Sequence, residues 1–285
     1  MKKNTTCLNL HLPPIVEAGR LAGLLDLMCA YKSLTPTRYG EVQPFRSTFD
    51  RTRVAEMAQS LLSASSFYWD CERRVASGTI SPQHGRGRKS ASLSVLTSVE
   101  RLDPPEILID FLQKAASRLG AIIGYVHRLC KVDSQRAAVS DGSPRLGLYR
   151  WQLVRCIPDL YWANVFGPEY VALFGGAERV RSAPAPVVRE LAPDTFYIQL
   201  SGSMLDFETR YAEISAVREQ VKQHLGADCF FDYEAKFAKK YRVPDLGWEE
   251  PARAPMTVEE IIESLKEGKM HVLDTTGGEY RKALE

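Results

Sequence analysis

The chain has 285 residues, enough for one large domain or two small ones. Hydrophobic residues make up 45% and charged residues 25%, an ordinary globular balance. With 37 Lys and Arg against 35 Asp and Glu the formal charge is +2, without the basic surplus that marks most nucleic-acid binders.

The start reads as no signal peptide, because His11, Pro13, Pro14, Glu17 and Arg20 interrupt any apolar run. No later segment reaches the roughly 20 apolar residues of a membrane span, so the expectation is a cytoplasmic protein that does not engage a membrane. Leu8, Leu10 and Leu12 alternate and predict a strand; Leu21, Leu24, Leu25 and Met28 then recur at helical spacing. A loop is expected over 33–45. Val54, Met57, Leu61 and Leu62 predict a second helix entered through Asp50. The stretch 83–92 is polar, Gly-rich and basic, hence a loop, and 93–97 alternates as a strand. Residues 103–120 carry Asp103 as N-cap, Pro104 and Pro105 in the first turn and Gly120 as a stop. Ile107, Leu108, Phe111, Leu112, Ala115 and Leu119 share the buried face of that helix. A buried strand over 122–126 follows.

A polar loop at 131–147 is the best internal boundary. Beyond it, 196–200 reads as a strand and 206–225 as a helix with Phe207, Tyr211, Ile214, Val217, Val221 and Leu225 on one face. Residues 229–231 read as the next strand. "RLGAIIGYV" and "HLGADCFFD" both close a helix on Leu-Gly and enter a strand through Ala, an echo of strand–helix–strand in two halves, 1–130 and 145–250. The expected fold is therefore α+β, with mixed or antiparallel sheets and packed helices, in one domain over 1–250. A C-terminal segment over 251–283 follows, with one docking helix capped by Thr257 and Glu260 and striped by Val258, Ile261, Ile262 and Leu265.

Chemistry is hard to find. Six cysteines at 7, 29, 71, 130, 156 and 229 include no CxxC pair and read as free thiols. "GRGRKS" departs from a phosphate loop, since Arg88 separates Gly87 from Lys89, and "SGSML" lacks the second Gly of a nucleophile elbow. His127 and Cys130 would point to opposite faces of a strand. The histidines are scattered, so no catalytic residue, metal or cofactor is expected. The window 157–176 is unusual instead, packing Tyr161, Trp162, Phe166, Tyr170 and Phe174 between Gly boundaries, with Gly167-Pro168 opening a short helix and Gly175 stopping it. Two readings stand: a core segment, or a partner surface built on Tyr161 or Trp162.

The aromatic segment before Gly167-Pro168, the Phe174-Gly175 step, the Ser182-Ala183-Pro184 triplet, the strand at 196–200 and the Arg218 helix running into Phe230-Phe231 together carry a resemblance. Over residues 151–232 the chain resembles bacterial immunity proteins of polymorphic-toxin and type VI secretion systems, and is similar to the immunity protein 52 family. The resemblance implies an α+β fold and a non-enzymatic protein that binds and blocks a cognate toxin effector. The resemblance further implies a toxin of restriction-endonuclease fold that cuts DNA, since the group is similar to those paired with such toxins. Such a nuclease presents a positive cleft. The candidate contacts are the acidic stretches: Asp206 and Glu208 beside Phe207, and Asp245, Trp248, Glu249 and Glu250 in a Pro-bounded loop, with Tyr161 and Trp162 as the alternative surface. The competing functions are an adaptor or chaperone for secreted effectors and a hydrolase using scattered carboxylates.

Overall fold

The computed structural model describes residues 5–42, 44–45, 47–84, 89–98, 102, 106–128, 148, 150–232 and 240–248. In chain order these hold β1 (Thr5–Leu12), α1 (Ala18–Cys29), β2 (Pro36–Gly40), β3 (Ser47–Thr48), α2 (Val54–Leu61), β4 (Phe67–Cys71), β5 (Ala76–His84), β6 (Ser90–Ser98), α3 (Ile107–Leu119) and β7 (Ile123–Arg128). They continue with α4 (Arg150–Leu153), β8 (Ala163–Phe166), α5 (Pro168–Leu173), α6 (Ala177–Arg181), β9 (Val187–Ala192), β10 (Thr195–Gln199), α7 (Asp206–Thr209) and α8 (Tyr211–Leu225). The class is α+β. The expectation of mixed or antiparallel sheets resolves into one ten-stranded sheet, ordered β3-β2-β4-β5-β6-β1-β7-β8-β10-β9, in which neighbouring strands run antiparallel.

Side chains alternate between the two faces of a strand, so the pairing register assigns every residue to a face. On the first face Trp69, Gly78, Val95, Leu8, Val126 and Ala163 form one row across six strands. Trp69 lies over Gly78, where an added Cβ would come within 2.9 Å of the indole and 1.9 Å of the Ser94 carbonyl oxygen. α3 crosses this face against β1, β7, β8, β9 and β10, with α1 beside α3 and α2 beside α1. The apolar stripes behave as the periodicity requires: Leu21, Leu24, Leu25 and Met28 of α1, and Phe111, Leu112 and Ala115 of α3, are fully buried. Gly120 ends α3 at φ +68°, donating its N–H to the Ala116 carbonyl.

Among the described residues the second face is covered on one side only. There α5 packs on β8 and β10, α6 on β9, and α8 beside α6. Burying apolar surface here is worth roughly 25 cal/mol per Å², and the strands beneath carry Phe166, Phe196 and Ile198, all essentially inaccessible to solvent.

Several expectations need correction. The loop expected at 33–45 contains β2 and leads to β3, a pairing completed by β4, whose own strand character was missed along with β5 and β9. The polar stretch expected as a loop at 83–92 supplies the end of β5 and the start of β6. Residues 229–231 are no strand: Ala227–Cys229 is a 3₁₀ turn, and Phe230 makes a single parallel bridge to Ile157. The second half therefore does not repeat the first. The helix expected at 206–225 breaks at Arg210, whose φ/ψ of −130°/36° separates α7 from α8. Asp103, the 131–147 boundary and the C-terminal helix with Thr257 and Glu260 lie outside the described residues.

Candidate partner interface

The aromatic window is core. Tyr161 and Trp162 are 5% and 3% exposed, and Phe166, Tyr170 and Phe174 are buried as well, so neither Tyr161 nor Trp162 forms a surface. Their polar atoms are satisfied inside. The Trp162 indole N–H donates to the Ser201 carbonyl and hydroxyl, both at 3.1 Å, and its backbone N–H donates to His127 Nδ1 at 3.3 Å. Tyr161 stacks on Tyr125 at 3.8 Å between ring centres. Asn164 ties the turn by accepting from the Tyr161 N–H and donating to the Tyr161 carbonyl. Gly167 has no room for a side chain, since a Cβ would lie 1.9 Å from the Ala121 carbonyl oxygen, and Pro168 at the first helical position starts α5. Tyr170 and Phe174 then close over Phe166, and Phe174 stacks on Phe230.

Next to this core lies a buried charge cluster that periodicity did not reveal. Asp159 (6% exposed) meets Arg218 (2%) and Lys222 (7%), each at 3.4 Å. Arg218 also donates to the Tyr211 hydroxyl at 3.0 Å and lies over the Phe207 ring, while Lys222 reaches Glu219 at 3.2 Å. The signal was present in α8, where Arg218 and Lys222 interrupt the apolar stripe of Ile214, Val221 and Leu225. The carboxylate partner, 59 residues earlier, had no sequence signature. Two cations and a carboxylate, each more than nine-tenths buried, act as a clamp holding α8 to the segment that leads into β8. Such a cluster fixes geometry more than it adds stability.

The acidic candidates separate into two places. Asp206 opens α7 and its carboxylate accepts from the Ser203 N–H at 3.1 Å. Glu208 faces Arg128, a 7%-exposed guanidinium, at 3.4 Å. Beside them Leu205 is 44% exposed, and Arg210 holds the Glu213 carboxyl below the usual carboxylate range through a hydrogen bond. The other place is the strap at 240–248. Asp245 is exposed and accepts from the Gly247 N–H, closing a tight turn. Trp248 is half-buried: its indole donates to the Lys89 carbonyl, its ring lies 5.8 Å from that of His11, and Arg150 stacks on it. A groove of about 290 Å³ between Val154 and this strap is lined mainly by Val243, Pro244 and Leu246.

Arg128 pairs with Thr6 and Trp248 touches His11, five residues along β1, so the two acidic places are about 17 Å apart along the sheet. The structure does not bring them together. Glu249 and Glu250 lie outside the described residues.

Among the described residues no group of three or more His, Cys, Asp or Glu is arranged to hold a metal, and no helix is long and apolar enough to cross a membrane. Cys29, Cys71, Cys156 and Cys229 are buried free thiols, and burial pushes Cys71 and Cys156 up to about 12 and Cys229 to about 11.

No protein-family model matches the chain, and no curated protein matches it. Among solved structures the fold is similar to the Pseudomonas aeruginosa T6SS protein PA0821, at 14% identity and a TM-score of 0.50, over 76% of this chain and 72% of that one. The likeness establishes a shared fold.

Proposed function

We propose that the protein is an immunity protein of a type VI secretion system, binding and neutralising a cognate toxin effector in the cytoplasm. The effector class is a DNase of restriction-endonuclease fold. The observation that supports this reading is the fold, which is similar over 76% of this chain to that of a T6SS protein. It agrees with the sequence resemblance at 151–232, which lies in the part of the molecule holding the aromatic core and the Asp159 clamp. On this reading the function is binding rather than catalysis, and Asp159, Arg218 and Trp162 serve to fix the shape of the chain.

The test is rescue. Cells expressing the cognate effector should survive when this protein alone is co-expressed, and their DNA should remain intact. Binding without rescue would favour an effector adaptor. Death with no binding would remove the reading altogether.

A further inference from the structure

The groove beside the strap gathers apolar side chains in one place. Val154 follows α4 on one wall, and Val243, Pro244, Leu246 and Trp248 come from the strap on the other. All five are half-buried, so the described residues leave part of this apolar surface wet. Single apolar residues on a surface are ordinary; a contiguous group lining a concavity marks a contact.

The chain itself supplies the occupant. The end of the strap is fixed in place. Asp245 accepts from the Gly247 N–H, Lys89 donates to the Gly247 carbonyl, and the Trp248 indole donates to the Lys89 carbonyl. The Trp248 ring is held against His11 and Arg150. The chain beyond Trp248 therefore starts from the groove's own end. Residues 249–257 lead to Val258, Ile261, Ile262 and Leu265, four apolar positions at helical spacing behind the Thr257 and Glu260 capping pair. A short stripe of this kind is sustained by packing against an apolar surface, not by helix propensity alone. Fully extended, the connection reaches at most about 35 Å. A tether this short holds the effective concentration on the order of millimolar, so a second copy or another protein at micromolar concentration competes at a disadvantage of roughly a thousandfold.

We infer that residues 258–265 seat their apolar stripe in this groove, within the same molecule, against Val154, Val243, Pro244 and Leu246. The groove is then an internal seam and not a ligand cavity, and the strap is the link that brings the tail to it. The inference does not depend on the proposed function.

The test uses the full chain. With benzoylphenylalanine in place of Val154, illumination at low micromolar concentration should give a cross-link to residues 256–267 of the same molecule, located by mass spectrometry of the monomer fraction. Ile261→Asp combined with Ile262→Asp should lower that yield at least about tenfold, because a carboxylate resists transfer into an apolar site. Ile261→Val with Ile262→Leu should keep it, as should Glu263→Gln on the side opposite the stripe. Hydrogen exchange on chains with the native Val154 gives a second reading, and it decides where no cross-link forms. The double Asp variant should exchange faster than wild type at 245–248 while β1 and β6 stay equally protected. A cross-link that survives both aspartates reports only the nearness of a tethered tail and overturns the inference. A link found only in dimers assigns the groove to a second copy, and a link to another part of the chain assigns it elsewhere; each overturns it too. Wild type and double Asp variant exchanging alike at 245–248 overturns it whatever the cross-link shows. Toxin rescue is not read in any of these arms, so the proposed function stands or falls separately.

Discussion

One row of the sheet joins its two halves and shows how differently they are used. Tyr68, Thr79, Ser94, Asn9, Tyr125, Asn164 and Ile198 are cross-strand neighbours on a single face. The first four are partly exposed, the last three fully buried. Pairing is the same throughout; what changes is the cover. From β7 onward the row lies under the aromatic window, α5 and α8, whereas from β1 back to β4 it meets solvent. The side chains follow: aromatic and aliphatic groups with satisfied polar atoms under the cover, hydroxyls and one leucine outside it. A half-buried strand alternates apolar and polar residues, and a strand buried on both faces does not. That is why "SASLSVLTS" and "ANVF" differ in composition while serving the same sheet.

The comparison is sharpest at two buried carboxylates, Asp159 on the covered side and Asp70 on the open side, each meeting two cations among the described residues. The cations of Asp159 are buried with it, at 3% and 9% side-chain exposure, while those of Asp70 are 48% and 76% exposed. Removing one partner from a buried cluster strands the remaining charge, at a cost of about 3–5 kcal/mol. Partners that can turn to water lose about 1 kcal/mol or less. Asp159→Ala should therefore unfold at much lower denaturant than wild type, and Asp70→Ala only slightly lower, in chemical melts followed by tryptophan fluorescence. Equal losses would mean that the two halves are held in the same way.

The second effect is alkaline. Cys71 and Cys156, one from each side of the molecule, are pushed by burial from an ordinary 9.0 up to about 12. The folded protein keeps these protons where the unfolded chain has lost them, so unfolding gains ground as pH rises. The stabilisation is full below pH 9, declines above it, and is gone once pH passes about 12. At pH 10 each thiol should account for on the order of 1 kcal/mol. Cys71→Ser with Cys156→Ser should flatten the stability profile between pH 8.5 and 10.5; a profile as steep as wild type would assign the slope to other groups.

Much of this architecture was legible in the sequence where one face of an element is buried and the other wet: α1, α3, β1, β6 and β10 stand near the positions that alternation or helical spacing indicates. The failures have particular causes. β2 was hidden because Pro36, Thr37 and Gly40 read as turn residues, yet Arg38 and Tyr39 pair with Asp70 and Trp69. Cys229–Phe231 looked like a buried strand because a short apolar run does not distinguish a strand from a core-filling turn. The aromatic window gave no sign of its depth, since Trp and Tyr serve cores and interfaces alike. The open hydroxyl face was written plainly in the alternating serines of β6, but only the register with β5 and β4 turns that pattern into a surface.

Trp248 tests the seam between the halves, where the strap at 240–248 reaches back across β1 and β6. Its ring contacts His11 and Arg150 and its N–H meets the Lys89 carbonyl, so it works as a pin. Because Trp248 is only half-buried, Trp248→Ala should cost about 1–2 kcal/mol, below the 3–5 of a fully buried tryptophan. Proteolysis should then cut the strap faster while β1 and β6 keep their amide protection. Loss of protection across the whole sheet would show that the strap belongs to the core.

The smallest expected change is at Leu96, and its smallness is informative. Leu96 faces Ser77 and Cys7 across the ladder, in the same row that ends on the buried His127. A leucine buried at that position would lose several kcal/mol on truncation, through lost transfer energy and the cavity left behind. Leu96 is 46% exposed, so it has shed only part of its hydration in folding, and water can fill the space a smaller side chain leaves. A serine there joins Ser92 and Ser94 in the alternation, and both residue types are tolerated on a strand's wet face. Leu96→Ser should therefore leave stability within about 0.5 kcal/mol of wild type, as surface changes usually do. Equilibrium urea unfolding checks this, with an unchanged denaturant slope confirming that no additional surface is exposed. A loss above about 1.5 kcal/mol would place Leu96 in the core by the energetic criterion, and the open half of the sheet would have to be redrawn as covered.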